Sequence, residues 1–407
     1  FNFSNLVVSI MITVLGSTST IGINTLYILS NIQKKIKIFA LTANKNVKLL
    51  FLQIQKHKPI YAVIGNEYDA IRLTKLCKDN KLNTKILFGS DALVYVSNHD
   101  KVNTVLSAIV GAAALTPTFA AIQKGKKILL ANKESIIMSG LLMIKAAKKS
   151  GSLIIPIDSE HNAIFQIMTT SGLDFNNIQN TSNYNKVRHV TLTASGGPFL
   201  NFTNKQLSTV TPKQAIKHPK WKMGKKISVD SATMMNKGLE IIEASILFNL
   251  EPDKIKILIH PESIIHALVA FTDGSVISHM SNHDMRVAIS YALSWPERYN
   301  IGLNDLKNAS FETLTFKKVK KNQFKCLDLC IKALKLGKNA PAVLNAANEV
   351  AVANFLENKI KFIDIPVIIE HALNNMKFVR NTTLKSILEC DQLTRIQVSD
   401  YIKNKWK

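Results

Sequence analysis

The chain has 407 residues, 46% hydrophobic and 20% charged, enough for two or three domains, each with its own core. No apolar run is long enough to span a bilayer as a helix. The formal net charge of +24 would suit nucleic acid, an anionic surface or phosphorylated substrates, but the lysines are spread along the chain and no RRM, zinc finger or Arg-rich segment is present, so drift toward Lys, Asn and Ile accounts for it.

Phe1 to Asn5 lacks a basic n-region and a cleavage site. The first ten residues read as an extension, with Met11 a candidate start. Residues 12–15 are expected to form a strand, followed by the turn 16–22 and an apolar helix to about residue 29. Strand, glycine turn and helix open a dinucleotide site, where the helix N-terminus receives a pyrophosphate. The spacing is not G-x-G-x-x-G, so a plain βα turn stays open. A second strand, 36–41, ends in Thr42-Ala43-Asn44-Lys45-Asn46. No acid stands there to bind a ribose 2′-hydroxyl, and Lys45 could meet a 2′-phosphate, which argues for NADP over NAD. The alternative is one more surface lysine.

Strands at 61–64, 85–87 and 127–130 alternate with helical segments through 75 and at about 118–124, with an apolar stretch 105–110 and the turn 111–114 between them. This βα alternation implies a parallel sheet covered on both faces. Asn132, Lys133, Glu134 and Ser135 follow a strand at once and so lie at the carboxyl edge, ahead of a helix over 136–149. The apolar run 153–155 then leads into Pro156-Ile157-Asp158-Ser159-Glu160-His161-Asn162. If the chain is still extended there, Asp158 and Glu160 point to one face. Neighbouring carboxylates need a proton or a cation between them, and at a strand's carboxyl end hard oxygen ligands suit Mg²⁺ or Mn²⁺. The alternative is a solvated acidic turn in which Asp158 or Ser159 caps a helix starting near Asn162.

Beyond residue 170 the pattern changes. A polar, Asn-rich loop spans 174–186, and a strand at 190–193 enters Ala194-Ser195-Gly196-Gly197-Pro198, a nest-like turn suited to an anion. Residues 218–224, His-Pro-Lys-Trp-Lys-Met-Gly, have the composition of a mobile lid. In the following helix Glu240 and Glu243 share a face. A hairpin turns at Asp273-Gly274, a helix over 285–294 stops before Trp295-Pro296, and helices at 326–336, 340–356, 367–376 and 384–404 read as a small terminal bundle. The cysteines, Cys77, Cys326, Cys330 and Cys390, have no CxxC spacing and read as inert thiols in a reducing cytosol.

The blocks LLANKES (129–135), PIDSEHNAIFQ (156–166), ASGGPF (194–199), HPKWKMGKKISVDSATMMNKGLEIIEA (218–244) and LNAANEVAV (344–352) together resemble the 1-deoxy-D-xylulose 5-phosphate reductoisomerase family, over nearly the whole chain. The resemblance implies an α/β protein: a Rossmann-like NADPH domain over 1–157, a central α/β catalytic domain over 158–297 with lid 218–224, and a linker and C-terminal helical domain over 298–407. It further implies a cytoplasmic homodimer, or one in a plastid-type compartment, with no nucleic-acid or membrane partner. The implied reaction converts 1-deoxy-D-xylulose 5-phosphate to 2-C-methyl-D-erythritol 4-phosphate in non-mevalonate isoprenoid biosynthesis, with a divalent metal as Lewis acid and NADPH as hydride donor.

By resemblance, Asp158, Glu160 and Glu240 match the ligands of a Mg²⁺ or Mn²⁺ ion. Ser195, Ser231, Asn236 and Lys237 match the grip on the substrate phosphate, with His218 nearby on the lid. Lys133 and Ser159 match contacts to the substrate backbone, and Trp221 and Met223 match the closing lid. Thr18, Ser19, Thr20, Ile21, Asn44, Lys45, Asn46, Asn132, Glu134 and Gly224 fall on cofactor positions. The chain departs from the family at Ser19 and Asn44, each for a frequent Gly, at Ala114 for Gly and at Ala288 for Pro. If position 19 required positive φ or a close backbone approach, Ser19 would weaken cofactor binding. Two other readings stay open: another NADP- and metal-dependent oxidoreductase acting on a phosphorylated polyol, and a degenerate paralogue or basic nucleic-acid binder.

Overall fold

The computed structural model describes residues 10–32, 36–173, 185–217, 224–307, 312–320, 323–380 and 383–406. The chain divides into two compact units: Phe1–Ser135, Met143–Asn162 and Asp284–Asn304 form the first, and Ile136–Leu142, Ala163–His283 and Asp305–Lys407 the second.

In the first unit strands alternate with helices: β1 (Met11–Leu15), α1 (Thr20–Asn31), β2 (Lys37–Thr42), α2 (Val47–His57), β3 (Tyr61–Ile64), α3 (Glu67–Asp79), β4 (Lys85–Phe88), α4 (Gly89–Asn98), β5 (Thr104–Ser107), α5 (Leu115–Gln123), β6 (Lys127–Leu130), α6 (Lys133–Ser150) and β7 (Ile154–Pro156). The sheet runs β4-β3-β2-β1-β5-β6-β7 and is parallel throughout, as the βα alternation required. From β1 the chain steps outward to β4, then returns to β5 on the other side, so the order reverses between β1 and β5. Ligands of such sheets bind at the carboxyl ends of the strands at that reversal. α12 (Met285–Ser294) closes this unit against α1, with Arg286 stacked over Tyr27 at 4.9 Å and paired with Asp284.

α7 (Ser159–Thr170) begins in the first unit and continues in the second. Here the structure corrects the sequence reading. β7 ends at Pro156, and the carbonyl of Asp158 accepts the Asn162 amide at 2.8 Å, the first bond of α7. Asp158 and Glu160 are therefore not alternate side chains of one strand: Asp158 stands at the helix entrance and Glu160 in its first turn. α6 likewise starts at Lys133 because the Asn132 side chain caps it, accepting from Ser135 N at 2.8 Å. α4 was not foreseen.

The second unit continues with β8 (Val187–Ala194), the short α8 (Asn204–Leu207) and α9 (Pro212–Ala215), α10 (Lys225–Ala232), α11 (Met235–Leu247), β9 (Ile255–Ile259), β10 (Ile265–Phe271), β11 (Val276–Met280), β12 (Lys317–Lys318), and the helices α13 (Lys325–Leu336), α14 (Ala340–Leu356), α15 (Asp364–Asn375) and α16 (Leu384–Lys405). Its mixed sheet runs β11-β10-β8-β9-β12, and the expected β10–β11 hairpin is present. α11 lies so close to α13 that a Cβ on Gly238 would stand 2.5 Å from Cys330 Sγ. All four cysteines are free and buried, and burial pushes the Cys326 thiol up to about 12, consistent with inert thiols.

Candidate active site

The cofactor candidates of the first unit sit at the carboxyl ends of β1, β2 and β6. The turn after β1 needs glycine twice. Gly16 has φ +78°, and a Cβ there would meet Ala108 O at 2.5 Å; a Cβ on Gly22 would meet Gly16 O at 2.4 Å. Glycine at both ends lets α1 descend onto the turn and present its N-terminus to an anion. Ser19 has φ −74° and is the N-cap of α1, its hydroxyl accepting from Gly22 N at 3.1 Å. It needs no positive φ, so the departure from glycine costs the turn nothing in backbone conformation. Thr18 and Ile21 are half-buried and Thr20 is exposed beside it.

Thr42, at the end of β2, ties the two strand ends together: its hydroxyl accepts from Gly16 N at 2.8 Å and its carbonyl from Ser17 N at 2.8 Å. Asn44, Lys45 and Asn46 follow on the surface, with Asn46 capping α2 through Leu49 N at 3.1 Å. At the end of β6 the buried Asn132 donates to Ile109 O, in the loop after β5, at 2.8 Å and to Glu134 Oε2 at 3.0 Å, which ties Glu134 to the carboxyl edge of the sheet.

Next to it, the loop after β7 carries the acidic group. The Lys133 ammonium ion-pairs with Asp158. Burial alone would raise the Asp158 carboxyl, but the Lys133 charge and, second, His161 override it and hold the group well below the usual carboxylate range. The ammonium beside it thus favours the charged form of Asp158. Ser159 Oγ donates to Glu160 Oε2 at 2.5 Å, so its hydroxyl and that carboxylate are held together.

The second unit holds the other group. After β8, Gly196 (φ +84°) and Gly197 (φ +69°) make a tight glycine turn, with Ser195 Oγ accepting from Gly197 N at 3.2 Å. A Cβ on Gly197 would lie 2.7 Å from Ser231 O, so the turn packs directly on the end of α10. α10 passes into α11 through Met234 in the left-handed region (φ 60°), which turns Asn236 and Lys237 into the first turn of α11. There Asn236 Nδ2 and Lys237 Nζ each donate to Glu240 at 2.5 Å. Lys237 and Glu240 are only 4% and 0% exposed, so the pair is sequestered from solvent screening.

Gly224 caps α10 in an extended conformation, while His218, Trp221 and Met223 lie outside the described residues. Two structural residues escaped the sequence reading. Gln53 reaches from α2 to Ser17 O (2.8 Å) and Ser17 Oγ (2.7 Å), and its position on the apolar face of α2 was the available signal. Asp230 on α10 is buried and paired, with no local signal beyond its place in an Ile- and Met-rich block.

The carboxylates fit a hard divalent cation by donor chemistry, since every candidate ligand is an oxygen and Asp158 is held charged.

Family models match three stretches: 1-deoxy-D-xylulose 5-phosphate reductoisomerase over 12–140 and the family's two C-terminal models over 154–248 and 280–397. The 1-deoxy-D-xylulose 5-phosphate reductoisomerase of Pseudomonas aeruginosa is 46% identical over 94% of this chain and 96% of its own. That of Buchnera aphidicola subsp. Acyrthosiphon pisum is 46% identical over 97% and 98%. A crystal structure of DOX-P reductoisomerase with NADPH, fosmidomycin and magnesium superposes with a TM-score of 0.91 at 40% identity, covering 97% of this chain and 98% of that one. The Zymomonas mobilis enzyme with NADPH gives a TM-score of 0.88 at 38% identity, covering 97% and 99%. With all three family models matched and close relatives spanning nearly its full length, the chain belongs to the 1-deoxy-D-xylulose 5-phosphate reductoisomerase family.

Proposed function

We propose that this chain carries out the NADPH- and divalent-metal-dependent conversion of 1-deoxy-D-xylulose 5-phosphate to 2-C-methyl-D-erythritol 4-phosphate. The observation that supports this best is the pair of lysine-held carboxylates, Asp158 with Lys133 and Glu240 with Lys237, each beside groups suited to a phosphorylated polyol. Asp158, Glu160 and Glu240 would hold Mg²⁺ or Mn²⁺, which when bound supplies Lewis-acid polarisation of the substrate oxygens, with NADPH supplying the hydride. Lys133 and Ser159 would touch the substrate backbone, and Ser195, Ser231, Asn236 and Lys237 its phosphate. Gripping that non-reacting group lets remote binding energy orient the reacting carbons. We propose 1–157, 158–297 and 298–407 as the functional division of the chain; the compact units differ from it in placing Asp284–Asn304 with the first and Ile136–Leu142 with the second. NADPH oxidation with this substrate, with and without Mg²⁺ or Mn²⁺, tests the reading; no metal-dependent oxidation would overturn it.

Thr18 to Ile21, Asn44 to Asn46, Asn132, Glu134 and Gly224 would contact the cofactor. Lys45 stands exposed after β2 with no acid beside it in the turn 42–46. Lys45→Ala is expected to weaken NADPH about tenfold, near 1.4 kcal/mol, and leave NADH unchanged. Equal loss for both cofactors would make Lys45 structural.

Residues 218–224, with His218 and Trp221, would act as a lid whose closure excludes water and strengthens the charges beneath it. Trp221→Ala should then keep its melting temperature but lose turnover, with substrate shifting the wild-type Trp fluorescence. Early melting, a core residue costing about 3–5 kcal/mol, would defeat the lid. A homodimer is supported by edge strand β11, where Val276 and Ile277 are 58% and 43% exposed. A single-protomer mass by sedimentation would exclude it. We place the enzyme in the cytoplasm, which fractionation tests; separately, no helix among the described residues is long and apolar enough to cross a membrane.

A further inference from the structure

We propose that Asn348, on the C-terminal helix α14, is a positioning residue for the phosphate grip, acting through Asp230 on α10. This rests on the assignment of Ser195, Ser231, Asn236 and Lys237 to the phosphate.

Asp230 is a carboxylate with 1% exposure, one residue before Ser231. Left unpaired there, it would be costly to bury and would repel a phosphate held by its neighbour. Two donors answer it. Asn348 Nδ2, itself 0% exposed, donates to Oδ1 at 2.9 Å, and Lys226 Nζ lies 2.9 Å from Oδ2. Lys226 is on the same helix as Asp230, four residues back, so this ion pair is local to α10. Asn348 is 118 residues away, so its hydrogen bond ties α10 to the C-terminal helix α14.

The position of α10 then decides the grip. At the same end Ser231 O and Ala232 Cα pack against Gly197, leaving no room for a Cβ, so the end of α10 touches the Ser195 turn as well as α14. From its end the Met234 turn leads straight to Asn236 and Lys237. A shift of α10 would displace Ser231 relative to Ser195 and carry the start of α11 with it. Of the cofactor candidates only Gly224, the N-cap of α10, belongs to this chain of contacts, at the end of the helix away from Ser231. The LNAANEVAV block, which otherwise has only a packing role, gains a reason for its second Asn.

The test uses the full-length protein with NADPH and Mg²⁺, and reads substrate KM and kcat, competitive inhibition by inorganic phosphate, and NADPH affinity. Asn348→Ala removes one hydrogen bond to a buried charge, and KM and the phosphate inhibition constant are expected to rise about tenfold or more, with kcat within about threefold and NADPH affinity, which α10 meets only through Gly224, falling by less than about threefold. Lys226→Met, which removes the other donor, should move the same two constants and serves if Asn348→Ala does not fold. Asn345→Ala is the control: that Asn is equally buried and one turn away, but bonds Glu349 within its own helix, so it should lower stability without touching phosphate affinity. Phosphate affinity within twofold of wild type in both donor variants, or an equal loss of NADPH affinity, would overturn the proposal. Ser231→Ala separates the two levels. If it too leaves phosphate affinity unchanged, the phosphate assignment itself fails; if it alone weakens phosphate, only the role of Asn348 fails.

Discussion

Glu240→Gln is expected to lower divalent-dependent turnover by about a thousandfold or more, the loss of several kcal/mol of Lewis-acid assistance, and to leave NADPH affinity within about twofold. Glu240 is fully buried and accepts from Asn236 and Lys237 at once. A glutamine can turn only one oxygen to these donors, and its amide nitrogen then faces the other as donor against donor. Lys237 also loses the carboxylate that neutralises it, a change that costs about 3–5 kcal/mol for a buried pair. The melting temperature should therefore fall along with metal affinity. Because destabilisation alone would also lower activity, the decisive readouts are Mn²⁺ binding and NADPH binding on the folded variant. Full activity of Glu240→Gln at low metal would remove Glu240 from the metal site.

Gly22→Ala should weaken NADPH binding by about tenfold or more and lower stability by about 1–3 kcal/mol, the usual range for overpacking. The added Cβ would lie 2.4 Å from Gly16 O, 2.5 Å from Ser17 Cα and 2.6 Å from Ser17 C, all backbone atoms that no rotamer change can move. α1 must back away from the turn, and the Ser19 cap on Gly22 N goes with it. Gly151→Ala is the matched comparison. It lies at the C-terminal end of α6 with φ +73° and open space around it, so alanine there meets conformational strain but no clash. It should cost stability and leave NADPH untouched. Wild-type NADPH affinity in Gly22→Ala would show that the close helix–turn approach is not what shapes the cofactor site.

How far the sequence carries depends on how local the determining physics is. β6 matches its expected bounds because Ile128–Leu130 is an apolar run buried on both faces behind the half-buried Lys127, and α14 because its small and apolar residues follow a Pro that can only stand in a first turn. α4 was missed because Leu93, Val94, Tyr95 and Val96 read equally as strand or helix, and few of its residues are buried. At the site, the carboxylates were visible as a set but their local geometry was not. Two-residue spacing suggested an extended pair, whereas Asn162 bonds back to Pro156 O at 2.9 Å and starts a helix at Ser159. On α11 the Glu240–Glu243 spacing drew attention, while Lys237–Glu240, equally readable at three residues, forms the observed ion pair. The Asn348–Asp230 bond spans 118 residues, and nothing local in either segment announces it.

The packing of α12 on α1 has a consequence for synthesis. Arg286 stacks on Tyr27 from about 260 residues further along, and the first unit is not complete until its last stretch, Asp284–Asn304, has been made. A nascent chain that has released all seven strands of the parallel sheet still lacks the helix that covers α1. It must wait, with that apolar face open, while more than a hundred residues of the other unit are translated. A fragment ending near residue 162 should therefore be prone to aggregate and to recruit chaperones, and a stand-alone cofactor module would have to carry residues 284–304 grafted back onto it.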